Sequence, residues 1–205
     1  MNPASATPRM LQVPGQVEVD HALWTEPAHL PLTHGVVSWT PDELTCRLVT
    51  HEVEPRTTFT RPNDPVHLDS CLEWFLAPWP GTGWYLNLEA NSAGTLYAAF
   101  GNPALTSVAD RPLLSPDLRA QVGVRAEVEP DRWSVTFTVP GTLLDLLAGI
   151  AGQPAVVLTA GTRMEANFYK CGDDTDTPHY GAWNPIEAET PQFHRPDQFG
   201  RLVLG

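Results

Sequence analysis

Twenty-one prolines are scattered from Pro3 to Pro196 of the 205 residues, and they restrict the fold before any other pattern is considered. Proline lacks a backbone N–H and clashes inside a helix, so long helices have almost nowhere to form. Short strands joined by irregular loops tolerate it at edges and turns. The single convincing helical stretch is short: Thr142–Ile150, TLLDLLAGI.

Strands announce themselves by period-two alternation. Leu11–Val19 alternates around Pro14-Gly15, which marks an edge or a bulge. Val36–Trp39 and Thr45–Val53 form a hairpin across Pro41-Asp42-Glu43. In DSCLEWFL (69–76), Leu72, Trp74 and Leu76 face one side, and Cys71, Glu73 and Phe75 the other. Trp84–Asn91 sets Trp84, Leu86, Leu88 and Ala90 against Tyr85, Asn87, Glu89 and Asn91, and turns at Gly94 into Thr95–Phe100. Val122–Val128 and Trp133–Val139 make a second hairpin. Val156–Thr159, Ala166–Tyr169 and Phe199–Leu204 complete the set. Short strands at hairpin spacing predict an all-β fold: an antiparallel two-sheet β-sandwich, jelly-roll-like, with long loops and one short helix. Residues 1–10 read as a disordered tail and 11–205 as one domain.

Charge narrows the partners. Twelve Lys and Arg against 24 Asp and Glu give a formal net charge of −12. Nucleic acid and anionic membranes need clustered cations, so neither is expected. No apolar run is long enough to span a bilayer. MNPASATPRM lacks the charged start and apolar core of a signal peptide, which predicts a cytoplasmic protein. The three cysteines, Cys46, Cys71 and Cys171, fit free thiols in a reducing compartment. None forms a C-x-x-C pair, so spacing along the chain gives no zinc signature. Cys71 and Cys171 adjoin neighbouring segments, which leaves a bridge between them open.

The richest stretch is Arg163–Leu204. After the Ala166–Tyr169 strand it runs as a polar loop of about 25 residues, a length that in a compact domain is usually functional or disordered; its aromatics argue against disorder. Trp183 on this loop has the character of a sugar platform, because apolar pyranose faces stack on indole. A tryptophan plugging the end of the sandwich is the alternative. Glu73, Asn87, Glu89 and Asn91 share one face of two neighbouring strands, and carboxylates and amides suit hydroxyls that both donate and accept. Asn167, Tyr169 and Lys170 lie on the strand that feeds the loop. Asp173, Asp174 and Asp176 crowd one turn and offer oxygen ligands for calcium, although a solvated acidic turn has the same appearance.

DSCLEWFL (69–76), YLNLEANSAGTLYAAFG (85–101) and ANFYKCGDD…WNP…FHRPDQFGRLVL (166–204) together resemble the family-9-like carbohydrate-binding modules. The resemblance spans nearly the whole chain. It implies a β-sandwich that holds a mono- or oligosaccharide, without catalysis or a required cofactor, on a concave sheet face between tryptophans and polar side chains. On this pattern Trp183 matches one clamp tryptophan and Glu73 the glutamate of the DxxxE strand. Asn87 and Glu89 fall on the ligand-bearing strand, where better-studied members carry Arg and Asn. The second clamp is one of Trp39, Trp79 and Trp84. Two other functions stay open: a glycoside-processing enzyme using Glu73 and Glu89 as its carboxylate pair, and a haem domain ligated from Met164, His179 and His194.

Overall fold

The computed structural model of the protein describes residues 7–107 and 111–205. In chain order the strands are β1 (Met10–Val13), β2 (Gly15–Glu18), β3 (His21–Ala22), β4 (Thr33–Trp39), β5 (Glu43–Thr50), β6 (Cys71–Ala77) and β7 (Tyr85–Asn91). They continue as β8 (Leu96–Gly101), β9 (Gly123–Glu129), β10 (Arg132–Pro140), β11 (Arg163–Gly172), β12 (His179–Ala182) and β13 (Gly200–Leu204). One sheet runs β1-β13-β11-β6-β7-β8, with β12 and β3 added beside β11; the other runs β2-β4-β5-β10-β9. The expected sandwich and both hairpins are present. Among the described residues the α-helices are α1 (Pro116–Arg119) and α2 (Gly141–Ala151), the second being the expected apolar stretch.

The chain changes sheets at Pro14. β1 pairs with β13 in parallel while β2 pairs with β4, so the Pro14-Gly15 break separates edge strands of opposite sheets. Of the expected tail, residues 1–6 lie outside the described residues. Arg9 and Met10 belong to the fold: Met10 opens β1, and the Arg9 backbone N–H donates to Asn184 Oδ1 at 2.7 Å. Val156–Thr159 joins neither sheet; Val157 is exposed, and its carbonyl accepts a local hydrogen bond from Thr162 Oγ1.

The core follows from alternation. Leu72, Trp74 and Leu76 of β6, Leu86 and Leu88 of β7, and Phe168 of β11 face Leu44, Cys46 and Leu48 of β5 and Val135 and Phe137 of β10. Leu143, Leu144 and Leu147 of α2 close one end. The opposite residues of β6, β7 and β11 therefore point to the outer face, where the site is built.

The segment after β11 differs from its reading as an unbroken loop. His179–Ala182 pairs antiparallel with Tyr169–Gly172 as β12. Its alternation continues one residue further: Tyr180 and Ala182 point outward, and Trp183 turns into the core. Trp183 is 4% exposed, meets Phe168 edge-on at 5.5 Å, and its backbone N–H donates to the Phe168 carbonyl at 2.9 Å. A Cβ at Gly200 would lie 2.1 Å from Trp183 Cζ3, so the glycine makes room for the indole. The plug reading of Trp183 is the one the structure adopts.

Trp183→Ala should accordingly cost about 3–5 kcal/mol of stability, the usual range for deleting a buried large aromatic. Chemical denaturation of the wild-type and variant chains measures it; a variant within about 1 kcal/mol of wild type would mean that the indole is not part of the core.

Candidate functional site

A cavity of about 390 Å³ opens on the outer face of the larger sheet. Its floor carries Glu73 and Glu89, which stand directly opposite each other in the β6–β7 register, with Cys171 of β11 beside them. One wall is aromatic: Trp24, Tyr180 and Phe193. His67, Tyr97 and Arg111 also line it, and Asp173 and His194 complete the lining with Pro191 and Gln192.

Each wall is held by identifiable bonds. Leu23 N–H donates to the Tyr180 carbonyl at 2.8 Å, so β3 carries Trp24 to the side of β12. The Trp24 and Tyr180 rings meet edge-on at 5.7 Å, and Trp24 Nε1 donates to the Ala188 carbonyl at 2.7 Å. Trp24 adopts a left-handed backbone, φ 57°, which is costly for a bulky residue. Phe193 stacks on Tyr169 at 4.2 Å, and the Tyr169 hydroxyl donates to the Phe193 carbonyl. His67 is positioned by a loop tied to Asp69, whose Oδ2 accepts from Thr58 N–H, Phe59 N–H and Asn91 Nδ2.

Arg111 lies across Gly101, where a Cβ would be 2.6 Å from its Cγ. Arg111 Nη1 donates to Tyr85 Oη at 2.8 Å and to His194 Nδ1 at 2.9 Å. A guanidinium has no acceptor, so that ring nitrogen must accept and the imidazole is neutral. Burial, followed by the Arg111 charge, pushes the His194 pKa down to about 2. Arg111 Nε is buried with no hydrogen-bond partner among the described residues.

The carboxylates on the floor are held toward their neutral forms. Glu73 is raised well above its usual value, by burial first and then by the neighbouring Cys171 and Glu89; its Oε1 accepts from Cys171 Sγ at 3.0 Å. Burial also raises Glu89, against the Asn87 Nδ2 hydrogen bond at 2.9 Å and the charges of His67 and Arg111. Asp173 at the rim is raised by burial as well.

The expected site residues divide. Glu73 and Glu89 line the cavity, and Asn87 supports Glu89 from below. Tyr169 is fully buried beneath Phe193. Asn167 serves the loop: its Nδ2 donates to the Asn184 carbonyl, and its Oδ1 accepts from Asn184 N–H at 2.8 Å. Lys170 is a correction. One residue along from Tyr169, it points between the sheets, where its Nζ meets Glu52 Oε2 at 3.2 Å, His179 Nε2 at 2.8 Å and the Cys171 carbonyl at 2.9 Å. Trp183 is a second correction, for the reason given above. Trp39, Trp79 and Trp84 also stay out of the cavity: Trp39 Nε1 bonds the Val13 carbonyl, Trp79 Nε1 the Pro154 carbonyl, and Trp84 stacks on Phe100 at 5.1 Å.

Asp173, Asp174 and Asp176 do not gather around one point. Asp173 lines the cavity and Asp176 a second depression beside His179 and Glu52. Among the described residues these carboxylates form no cluster of three potential ligands. The haem set is likewise dispersed: Met164 lies in the core, His179 is engaged by Lys170, and His194 faces the outer cavity. What sequence reasoning missed is the rest of the lining: Trp24, His67, Tyr97, Arg111, Tyr180 and Phe193. Recognising β12 inside the loop would have found Tyr180.

These shifts set a pH dependence. A raised glutamate contributes stability that is complete below its unfolded value of 4.5 and is lost as pH climbs toward the folded value. His179 and His194, depressed to about 4 and about 2 from 6.5, contribute stability that is present above 6.5 and lost as pH falls. Glu73→Gln should therefore gain stability over wild type progressively above pH 4.5 and keep the same acid-side loss. Denaturation across pH 4–8 checks this; a stability difference that is flat with pH would contradict the buried, neutral Glu73.

The fold has relatives. A candidate carbohydrate-binding protein from Bacteroides uniformis is similar, with 28% identity, a TM-score of 0.78, and 93% of this chain and 86% of that one covered. A carbohydrate-binding module of family 9 from Caldicellulosiruptor kristjanssonii, solved with glucose, matches at 12% identity and a TM-score of 0.62 over 93% of this chain and 84% of its own. A family 9 module from the same organism with cellotriose gives 13% and 0.54 over 84% and 74%. No curated protein sequence matches this chain. The family model for carbohydrate-binding family 9 matches residues 9–204. With nearly every residue inside that match, and the sandwich and outer-face cavity in place, the chain belongs to carbohydrate-binding family 9.

Proposed function

We propose that the chain binds a mono- or oligosaccharide without catalysis, in the cavity between the Trp24–Tyr180–Phe193 wall and the Glu73–Glu89 floor. The observation that carries this reading is the pairing of an aromatic wall with a polar floor in a single cavity. A pyranose has apolar C–H faces and a rim of hydroxyls, and it needs both surfaces at right angles. The volume lies within the range of about 300–1,000 Å³ usual for small-ligand sites. The left-handed backbone of Trp24 adds support, since strained residues of this kind cluster at ligand clamps.

Within the cavity the ring stacks on Trp24, with Tyr180 and Phe193 bracing it. Glu89, Asp173 and His67 take hydroxyl hydrogen bonds, and Arg111 contributes a donor. Carboxyls held toward their neutral forms suit a neutral ligand, because a protonated carboxyl both donates and accepts. Family membership supports a sugar as the ligand, and glucose and cellotriose, held by the solved family members, are the first to titrate. Three unpaired thiols fit a protein working in a reducing compartment.

The test is titration calorimetry of wild type and Trp24→Ala against a panel of neutral sugars that includes glucose and cellotriose. Stacking worth about 1–2 kcal/mol gives a loss of roughly tenfold in affinity. Wild-type binding with that loss, and a melting temperature near wild type, supports the assignment. Equal affinity in the variant removes Trp24 from the site, and no binding across the panel ends the carbohydrate reading.

A further inference from the structure

The floor of the cavity contains a second chemical grouping, two thiols that share Glu73 with the proposed sugar site. Cys71 of β6 and Cys171 of β11 stand directly opposite each other in the strand register, and Glu73 lies two residues along β6 on the same face. A Cys71 sulfur, a Cys171 sulfur and a Glu73 oxygen all lie within 4.8 Å of one another, and Cys171 Sγ is 3.0 Å from Glu73 Oε1. Tetrahedral zinc, with sulfur at about 2.3 Å and carboxylate oxygen at about 2.0–2.2 Å, spaces its ligand atoms roughly 3.5 Å apart. Small side-chain adjustments bring the three atoms to that spacing.

Cys46 provides the contrast within the same chain. It is buried among apolar side chains of the core, in the ordinary role of a small hydrophobe. Cys71 and Cys171 instead adjoin a carboxyl group, and Cys171 and Glu73 border the cavity, which gives an ion a path from solvent. We propose that Cys71, Cys171 and Glu73 form a three-ligand site for a thiophilic divalent cation, Zn²⁺ first, with its fourth position open to the cavity. Two sulfurs select zinc over calcium or magnesium, which take oxygen. Two thiolates and a carboxylate leave the zinc complex with one net negative charge, and His67, whose carbonyl accepts from Cys171 Sγ at 3.7 Å, and Arg111 line the same cavity. Linear spacing does not reveal the set, because its ligands meet across strands.

Binding exchanges protons for metal, since both thiols must give up theirs as one Zn²⁺ enters. Because the thiols must deprotonate to bind metal, affinity rises with pH through the neutral range.

The experiment uses the full chain, reduced and stripped with chelator, and adds Co²⁺ or Zn²⁺ alone with no sugar present, so that it is independent of the carbohydrate reading. One equivalent of Co²⁺ should give intense near-ultraviolet sulfur-to-cobalt absorption, lost in Cys71→Ser and in Cys171→Ser. Glu73→Gln should weaken zinc by at least about tenfold. X-ray absorption of the wild-type zinc complex should show two sulfurs near 2.3 Å with oxygen ligands, which decides the matter even if a cysteine variant fails to fold. Absence of the charge-transfer band, a zinc shell of nitrogen and oxygen only, or a band surviving in both cysteine variants overturns the proposal.

Discussion

Everything in this molecule depends on the alternation of three adjacent strands, β11, β6 and β7. Their inward residues, Phe168, Trp74, Leu86 and Leu88 among them, bury the apolar surface that holds the two sheets together. Their outward residues, Tyr169, Glu73 and Glu89, lie in one cross-strand row, Tyr169 opposite Glu73 and Glu73 opposite Glu89. A slip of one residue in register would exchange the faces and destroy core and site together. The site therefore inherits its rigidity from the core rather than from the loops.

The loops add the walls, and their attachments are polar. Asn167 grips Asn184, Asn184 Nδ2 donates to the Gln198 carbonyl, and Asp69 gathers the 58–59 turn with Asn91. Each of these side chains is buried and makes at least one hydrogen bond, which offsets lost hydration, although Asp69 Oδ1 has no hydrogen-bond partner among the described residues. The ion pair of Lys170 with Glu52 does similar work at the end of the sandwich. Burial alone would raise Glu52, but Lys170 and hydrogen bonds from Trp133 and Ser70 outweigh it and hold the carboxylate low. On the cavity floor burial is the largest influence on both Glu73 and Glu89, and it outweighs the opposing pull of His67 and Arg111 on Glu89.

Much of the fold was legible in the sequence. Proline density excludes long helices, and the clean alternation of 69–76 and 84–91 puts Glu73, Asn87 and Glu89 on one face, as the register of β6 and β7 has them. Lys170 could have been placed by the same rule, since it differs in parity from Tyr169. Trp183 was lost because β12 hides in a segment rich in Asp, Thr and Pro, and without its register the direction of Trp183 is undetermined. Trp24, His67, Tyr97 and Arg111 come from four separate segments. They converge only through long-range contacts such as the bond from Leu23 to Tyr180, and no local pattern encodes those.

The central claim is that sugar meets Trp24 and leaves Trp183 in the core. The seven tryptophans give separate indole N–H signals in a heteronuclear NMR spectrum, each assignable by single Trp→Phe substitution. During titration with cellotriose the account predicts that the Trp24 indole signal moves, with Tyr180 and Phe193 backbone amides, and that Trp183 stays in place. Movement centred on Trp183, with Trp24 unchanged, would contradict it.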